Sequence, residues 1–138
     1  MANIPGQMTG NIKHTTGHYV AKEKIMEGAF VALDTNKAYL RNLTATDTQV
    51  FGVAAHRYGE DYPTKSQVLI NSIGQIEVLI ATAVSIGDPI HVFTSGDNVG
   101  KATNVAVDGQ TIKVNGSFRE AGSANSSAKA WINTLEVS

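Results

Sequence analysis

The chain has 138 residues and a mass of 14.6 kDa, one domain's worth or two very small ones, and a chain of this size buries roughly 68–70% of the surface it exposes when unfolded. Eleven basic and twelve acidic residues leave a net charge of −1, which excludes the basic excess of a nonspecific nucleic-acid binder; the 42% of apolar residues exclude a disordered acidic chain. The absence of cysteine excludes disulfide scaffolds, CxxC zinc sites and thiol catalysis.

The N-terminal stretch MANIPGQMTGNIKHTTGHYV has no charged region followed by an apolar one, so no secretory signal is read there. The longest largely apolar run, Ile76 to Ile86, is too short to cross a bilayer, and no membrane partner is expected. Valine and isoleucine total 24 against 6 leucines, with 13 threonines. These β-branched side chains fit a pleated surface better than a helix. With 13 glycines and 10 asparagines to make turns, the composition predicts an all-β sandwich or barrel.

Residues 1–18 read as an extended N-terminal arm, with three glycines, one proline and scattered apolar residues. Such a segment cannot offset the cost of its own ordering. It is either a frayed terminus or an arm that orders on a partner, with Ile4, Met8 and Ile12 as apolar anchors beside Pro5. Residues 19–138 form the body. Strands are predicted near 19–24, 29–34, 38–42, 50–56, 67–72, 75–82, 89–94, 112–119 and 128–136. In the second of these GAFVAL alternates weakly, and a short helix is an option near Thr44–Gln49. Val68 and Ile70 share a face, as do Ile76, Val78 and Ile80; Glu77 lies opposite and is expected to be exposed. Asn71-Ser72-Ile73-Gly74 reads as a hairpin turn, and Asp108-Gly109 as another. Ile90 and Val92 alternate with His91 and Phe93, and Pro89 suits the first position of a strand.

An internal repeat is legible. Gly28, Phe51-Gly52 and Val68–Asn71 match Gly87, Asn115-Gly116 and Ala130–Asn133 at offsets of 59, 64 and 62 residues. Duplication implies pseudo-symmetric halves sharing one core, because neither half easily buries its own face.

The search for chemistry returns mostly negatives. His14 and His18 have the i, i+4 spacing of a metal pair, but Thr15, Thr16 and Gly17 between them disfavour a helix, so no metal site is assigned. His56, Arg57, Tyr58, Glu60 and Asp61 crowd the segment HRYGEDY. A histidine beside a carboxylate can act as general acid or base; a solvated loop explains the same composition. The segment Gly96–Lys101 lacks one spacer of a phosphate-binding loop and has no helix behind it. No GxSxG elbow is present, and nine scattered aromatics with three arginines make no nucleic-acid platform. Trp131 reads as a core or interface anchor. The expectation is a non-enzyme without cofactor.

From Lys24 onward the order of short patterns resembles the phage head-decoration, or capsid cement, proteins. Met26-Glu27-Gly28-Ala29-Phe30-Val31 resembles the family's first strand after the arm, and Val50-Phe51-Gly52-Val53-Ala54 its "GVA" strand. Gly74–Val78 followed by Ile86–Ile90, and Gly116–Phe118 followed by Ala130–Val137, resemble its later passages; Ser117 and Phe118 depart from the pattern. The resemblance implies a small β-barrel or β-tulip body that forms a homotrimer. It further implies binding to the major capsid protein on the outer head surface of the virion, at threefold or quasi-threefold points, after a period in the host cytoplasm. Ile4, Pro5, Met8 and Ile12 would then touch capsid, while Trp131, His56, Arg57 and Tyr58 would lie at a subunit or capsid interface. Two other classes stay open: another phage module (tail, baseplate) or carbohydrate-binding β domain, and an enzyme or small-ligand barrel built on His56, Glu60 and Asp61.

Overall fold

The computed structural model describes residue 5 and residues 19–36, 38–57 and 59–135. Eleven strands and no helix appear among them: β1 (Tyr19–Ala21), β2 (Phe30–Leu33), β3 (Tyr39–Asn42), β4 (Gly52–Ala54), β5 (Gln67–Val68), β6 (Ile70–Asn71), β7 (Ile73–Ile80), β8 (Pro89–Phe93), β9 (Ala102–Thr103), β10 (Thr111–Phe118) and β11 (Ser126–Asn133). The all-β expectation holds. In place of a helix near 44–49, Asp47 closes a turn by accepting from the Thr44 backbone N–H at 2.7 Å.

The strands form two sheets. The first runs β5-β1-β3-β2-β4-β6, and the second is a closed barrel, β10-β11-β7-β9-β8. The outermost strands of the first sheet, β5 and β6, are one chain segment interrupted at Leu69, so that sheet also curls almost shut.

The two sheets are copies of one unit. In each, the first strand runs parallel to the third: Ala21 pairs with Leu40, and Ile80 with Ala102. In each, the second strand is antiparallel to the third, through Leu33 with Leu40 and Val92 with Ala102. The isolated bridge Ile25–Tyr62 has its counterpart in Val84–Gly122. Even the two non-glycine residues with positive φ among the described residues, Lys65 (69°) and Asn125 (58°), occupy equivalent turns. In both turns a serine hydroxyl bonds back three residues, from Ser66 to Pro63 O and from Ser126 to Ser123 O. The offsets of 59 and 64 are those of the sequence repeat. The third is corrected: Val68 matches Ala128 and Ile70 matches Ala130, because Tyr19 pairs with Val68 where Val78 pairs with Ala128, and Ala54 with Ile70 where Phe118 pairs with Ala130.

Each unit buries its own interior, contrary to the expectation of one shared core. Ala21, Ile25, Val31, Leu40, Ala54, Tyr62, Val68 and Ile70 form one cluster. Their counterparts Ile80, Val84, Ile90, Ala102, Phe118, Ala128 and Ala130 belong to the other. The second cluster also takes in Phe30, Ala32, Leu43, Val50 and Val53. These point away from the first interior, since Val31 and Leu33 alternate with Phe30 and Ala32. The outer face of β2 and β4 is thus the surface by which the first barrel packs on the second.

Two further expectations fail for reasons of connectivity, and one strand goes unforeseen. Asn71-Ser72-Ile73-Gly74 is no hairpin: β6 pairs with β4 and β7 with β11, so this buried segment carries the chain from one barrel into the other. Asp108-Gly109 does turn, but β10 pairs with β8 rather than with the preceding β9. The two-residue β9 was not predicted, being too short to show alternation.

Candidate docking surface

Of the residues with a predicted docking role, Ile4, Met8, Ile12 and Tyr58 lie outside the described residues. Pro5 is a half-buried turn residue. Trp131 sits on β11 between buried Ala130 and Ile132, so its ring points outward, and it lies opposite Gln75 and Ser117. It is half-buried.

His56 and Arg57 are brought together with a residue that the sequence did not single out. Glu27, 9% exposed, places its Oε2 3.1 Å from His56 Nδ1 and accepts the Arg57 backbone N–H at 2.6 Å. The Arg57 guanidinium donates to Asp61 O at 2.9 Å and lies over the Tyr62 ring at 5.5 Å. Lys24 pairs with Asp61 at 3.2 Å. The buried Tyr62 hydroxyl donates to Ala55 O at 2.9 Å; burial raises its pKa. Asp61 thus ties the loop to Lys24, while Glu60 is exposed and pairs within the loop with Arg57 at 3.5 Å. The arrangement braces His56 and Arg57 against Glu27, and Asp61 against Lys24.

A second polar knot lies on β3. Arg41 makes a bidentate pair with Asp47 at 2.7 and 2.8 Å, and its Nε is 3.5 Å from Asp34, which also pairs with Lys22 at 3.3 Å. The hydrogen bond from Arg41 holds the Asp47 carboxyl below its ordinary value. Beyond this knot a groove of about 440 Å³ runs between Asp47–Phe51 and Thr134–Leu135.

Glu77 contradicts its predicted exposure. It is 1% exposed, lies opposite Lys129 on β11, and its Oε2 has no hydrogen-bond partner among the described residues. Burial pushes its carboxyl up to about 7, and the charge of Glu120 adds to this; Lys129 and a hydrogen bond with Ser127 oppose it.

Among the described residues the exposed large apolar side chains are Ile86 (72%), Val105 (61%), Leu135 (52%), Leu69 (46%) and Tyr39 (36%). Ile86 and Val105 sit on two turns tied together by Asp88, whose Oδ2 accepts from the Ser85 N–H at 2.8 Å and from Asn104 Nδ2 at 2.7 Å. An isoleucine inside the turn Ser85–Asp88 was the available sequence signal, since turns rarely need an apolar side chain.

No family model matches the sequence, and no curated protein matches it. Solved structures do match the fold. A chain of the capsid of Myoviridae phage XM1 aligns over 99% of this chain and 94% of its own length, with a TM-score of 0.80 and 22% identity. The head fibre gp8.5 N base in bacteriophage phi29 aligns over 90% of this chain and 99% of its own, with a TM-score of 0.62 and 18% identity. The tandem-barrel architecture is therefore one that this chain shares, over nearly its full length, with a chain of a phage capsid and with the base of a phage head fibre.

Proposed function

We propose that the protein is a phage virion structural protein that binds the outer surface of the expanded head. As a homotrimer at threefold or quasi-threefold points, it cements neighbouring copies of the major capsid protein. The observation that carries this reading is the whole-chain likeness to a chain of the XM1 capsid. The decoration-protein pattern of the sequence supports it independently.

The physics of cementing is mass action. A ligand that binds the expanded lattice and not its precursor stabilises that lattice by its binding free energy. Linked arms raise attachment through effective concentration, and an extended arm can pair with capsid strands. The arm residues Ile4, Pro5, Met8 and Ile12 are the proposed capsid anchors; Trp131 and the loop His56–Tyr58 are proposed to lie at subunit or capsid contacts. The protein would reside in the host cytoplasm until heads expand.

The test is co-sedimentation with purified expanded heads that lack it. The full chain is expected to pellet saturably and to raise the temperature at which heads release DNA. Deletion of residues 1–18 is expected to weaken binding at least ~10-fold, as the loss of ~1.4 kcal/mol would. The double variant Glu60→Ala, Asp61→Ala should still bind. A protein that stays in the supernatant with expanded heads but pellets with tails, or is retained on a sugar column, overturns the reading.

A further inference from the structure

We infer that the groove between residues 32–33 and 47–50 is a strand-docking site, and that the chain's own N-terminal arm, residues 1–18, is the strand it takes in the free protein. The inference goes beyond head binding and does not rest on it.

The groove marks a strand pairing that the second barrel makes and the first does not. In the second barrel Ile90, His91, Val92 and Phe93 of β8 pair with Val114, Lys113, Ile112 and Thr111 of β10. By the repeat offsets of 59 and 64, their counterparts are Val31, Ala32, Leu33 and Asp34 against Val50, Gln49, Thr48 and Asp47. None of these four pairs forms: β2 pairs with β4 through Phe30 with Val53 and Val31 with Gly52, and there the ladder stops. The groove of about 440 Å³ has Ala32 and Leu33 on one wall and residues 47–50 on the other, the two halves of the unmade ladder. The connection is also shorter here. Twelve residue steps lead from Leu40 to Gly52 and fourteen from Ala102 to Gly116, which leaves less chain to follow β2.

The backbone along the groove is open to a partner. Asp34 N–H donates to Tyr39 O and Phe51 N–H to Val31 O, each at 2.9 Å, so alternate residues of β2 face β3 and β4 in turn. The Leu33 N–H and C=O therefore face the groove. Among the described residues no backbone hydrogen bond reaches them from across it, and none reaches the backbone of Thr48, Gln49 or Val50. Arg41 props the mouth: its Nε lies 3.5 Å from Asp34, and its guanidinium bonds Asp47 at 2.7 and 2.8 Å. The counterpart of Arg41 is Thr103, whose side chain is too short for such a span. An edge held ready in this way lowers the entropic cost of adding a strand by main-chain pairing.

The arm is the strand nearest to hand. It joins the body at Tyr19, whose ring stands edge-on to Phe51 with the centroids 5.2 Å apart, and Phe51 lines the groove. Eighteen residues reach up to ~60 Å when extended, ample to turn back along β2. The tether gives the arm an effective concentration on the order of mM, which favours it over any untethered strand. Ile4, Met8 and Ile12, spaced four apart, fall on one face of an extended chain. The groove offers Leu33, Phe51 and the 52% exposed Leu135 to receive that face. The capsid contact proposed above would draw the arm out of this groove.

The experiment is disulfide trapping, since the chain has no cysteine of its own. Thr48→Cys, on the exposed wall of the groove, is combined in turn with Gln7→Cys and with Asn11→Cys in the full chain. Each pair is oxidised in a glutathione buffer at low protein concentration. At least one pair is expected to close within single chains ~10-fold faster or more than the same arm cysteine paired with Ile86→Cys on the second barrel, because docking concentrates the arm at the groove. Leu135→Asp, a change at an exposed position of the wall, is expected to remove that advantage. If Thr48→Cys does not fold, Gln49→Cys takes its place. Equal rates at the two sites, or an advantage that survives Leu135→Asp, overturn the inference. Linking between chains in place of linking within them also overturns it and gives the groove to the arm of a second copy. No heads are present, so such a result leaves the co-sedimentation test of head binding untouched.

Discussion

Tyr62 and Gly122 occupy the same place in the two barrels. Ile25 exchanges both backbone hydrogen bonds with Tyr62, at 3.0 and 2.7 Å, and Val84 exchanges both with Gly122, at 3.0 and 3.1 Å. The largest side chain of one interior thus stands where the other has none. The difference is balanced across the core: the first barrel has Ala54 where the second has Phe118. A Cβ on Gly122 would meet Ile80 Cδ1 at 2.7 Å and Ala128 Cβ at 3.1 Å. Gly122→Ala should therefore destabilise the protein by ~1–3 kcal/mol through overpacking, and Phe118→Ala by ~3–5 kcal/mol through the cavity it leaves. The double change Phe118→Ala/Gly122→Tyr imports the combination of the first barrel. It should recover at least ~1 kcal/mol relative to the sum of the separate changes. Urea denaturation of the three variants and of Gly122→Tyr alone closes the cycle.

Glu77 makes stability depend on pH. Its folded pKa lies above the ordinary value of 4.5, at about 7, so the folded protein holds a proton that the unfolded chain gives up. Its contribution is full below pH 4.5 and is lost as pH rises toward 7, a change of about 3 kcal/mol. Glu77→Gln removes the titration. The variant should match the wild type near pH 5 and exceed it by ~1–3 kcal/mol at pH 8. Thermal melts at the two pH values check this; an equal shift at both would place the effect in packing instead.

Asp47 acts in the opposite direction. Its carboxyl is held low by the hydrogen bond from Arg41, against the effect of burial, so its contribution is present above pH 3.8 and lost as pH falls. Asp47→Asn breaks the bidentate pair and weakens the cap on Thr44. It should cost ~1–3 kcal/mol at pH 7, with the deficit shrinking at pH 3. Denaturation at both pH values reads the difference.

Gly116 and Gly109 separate close approach from turn geometry. Gly116 has φ 143°, and a Cβ there would strike the Trp131 carbonyl oxygen across the β10–β11 ladder. Gly109 has φ 72° and open space around it. Gly116→Ala should cost ~3 kcal/mol or more, since backbone must shift, and Gly109→Ala only ~1 kcal/mol of backbone strain. Parallel melting curves of the two variants make the comparison.

By itself the sequence determined the fold class, most of the strands, the inward sets Val68/Ile70 and Ile76/Val78/Ile80, and two of the three repeat offsets. These are local properties. Period-two alternation and β-branched composition are written in consecutive residues, and a repeat is visible wherever glycine punctuates the same turn twice. The tertiary structure alone decided that there are two interiors, that the segment 71–74 links the barrels instead of turning back, and that β9 exists. Pairing partners lie far apart in sequence, and strand register is set by what the opposite strand presents. Glu77 is buried, and Ile86 and Val105 are exposed, for the same kind of reason: whether an outward side chain meets solvent depends on segments distant in sequence, and no local pattern records that.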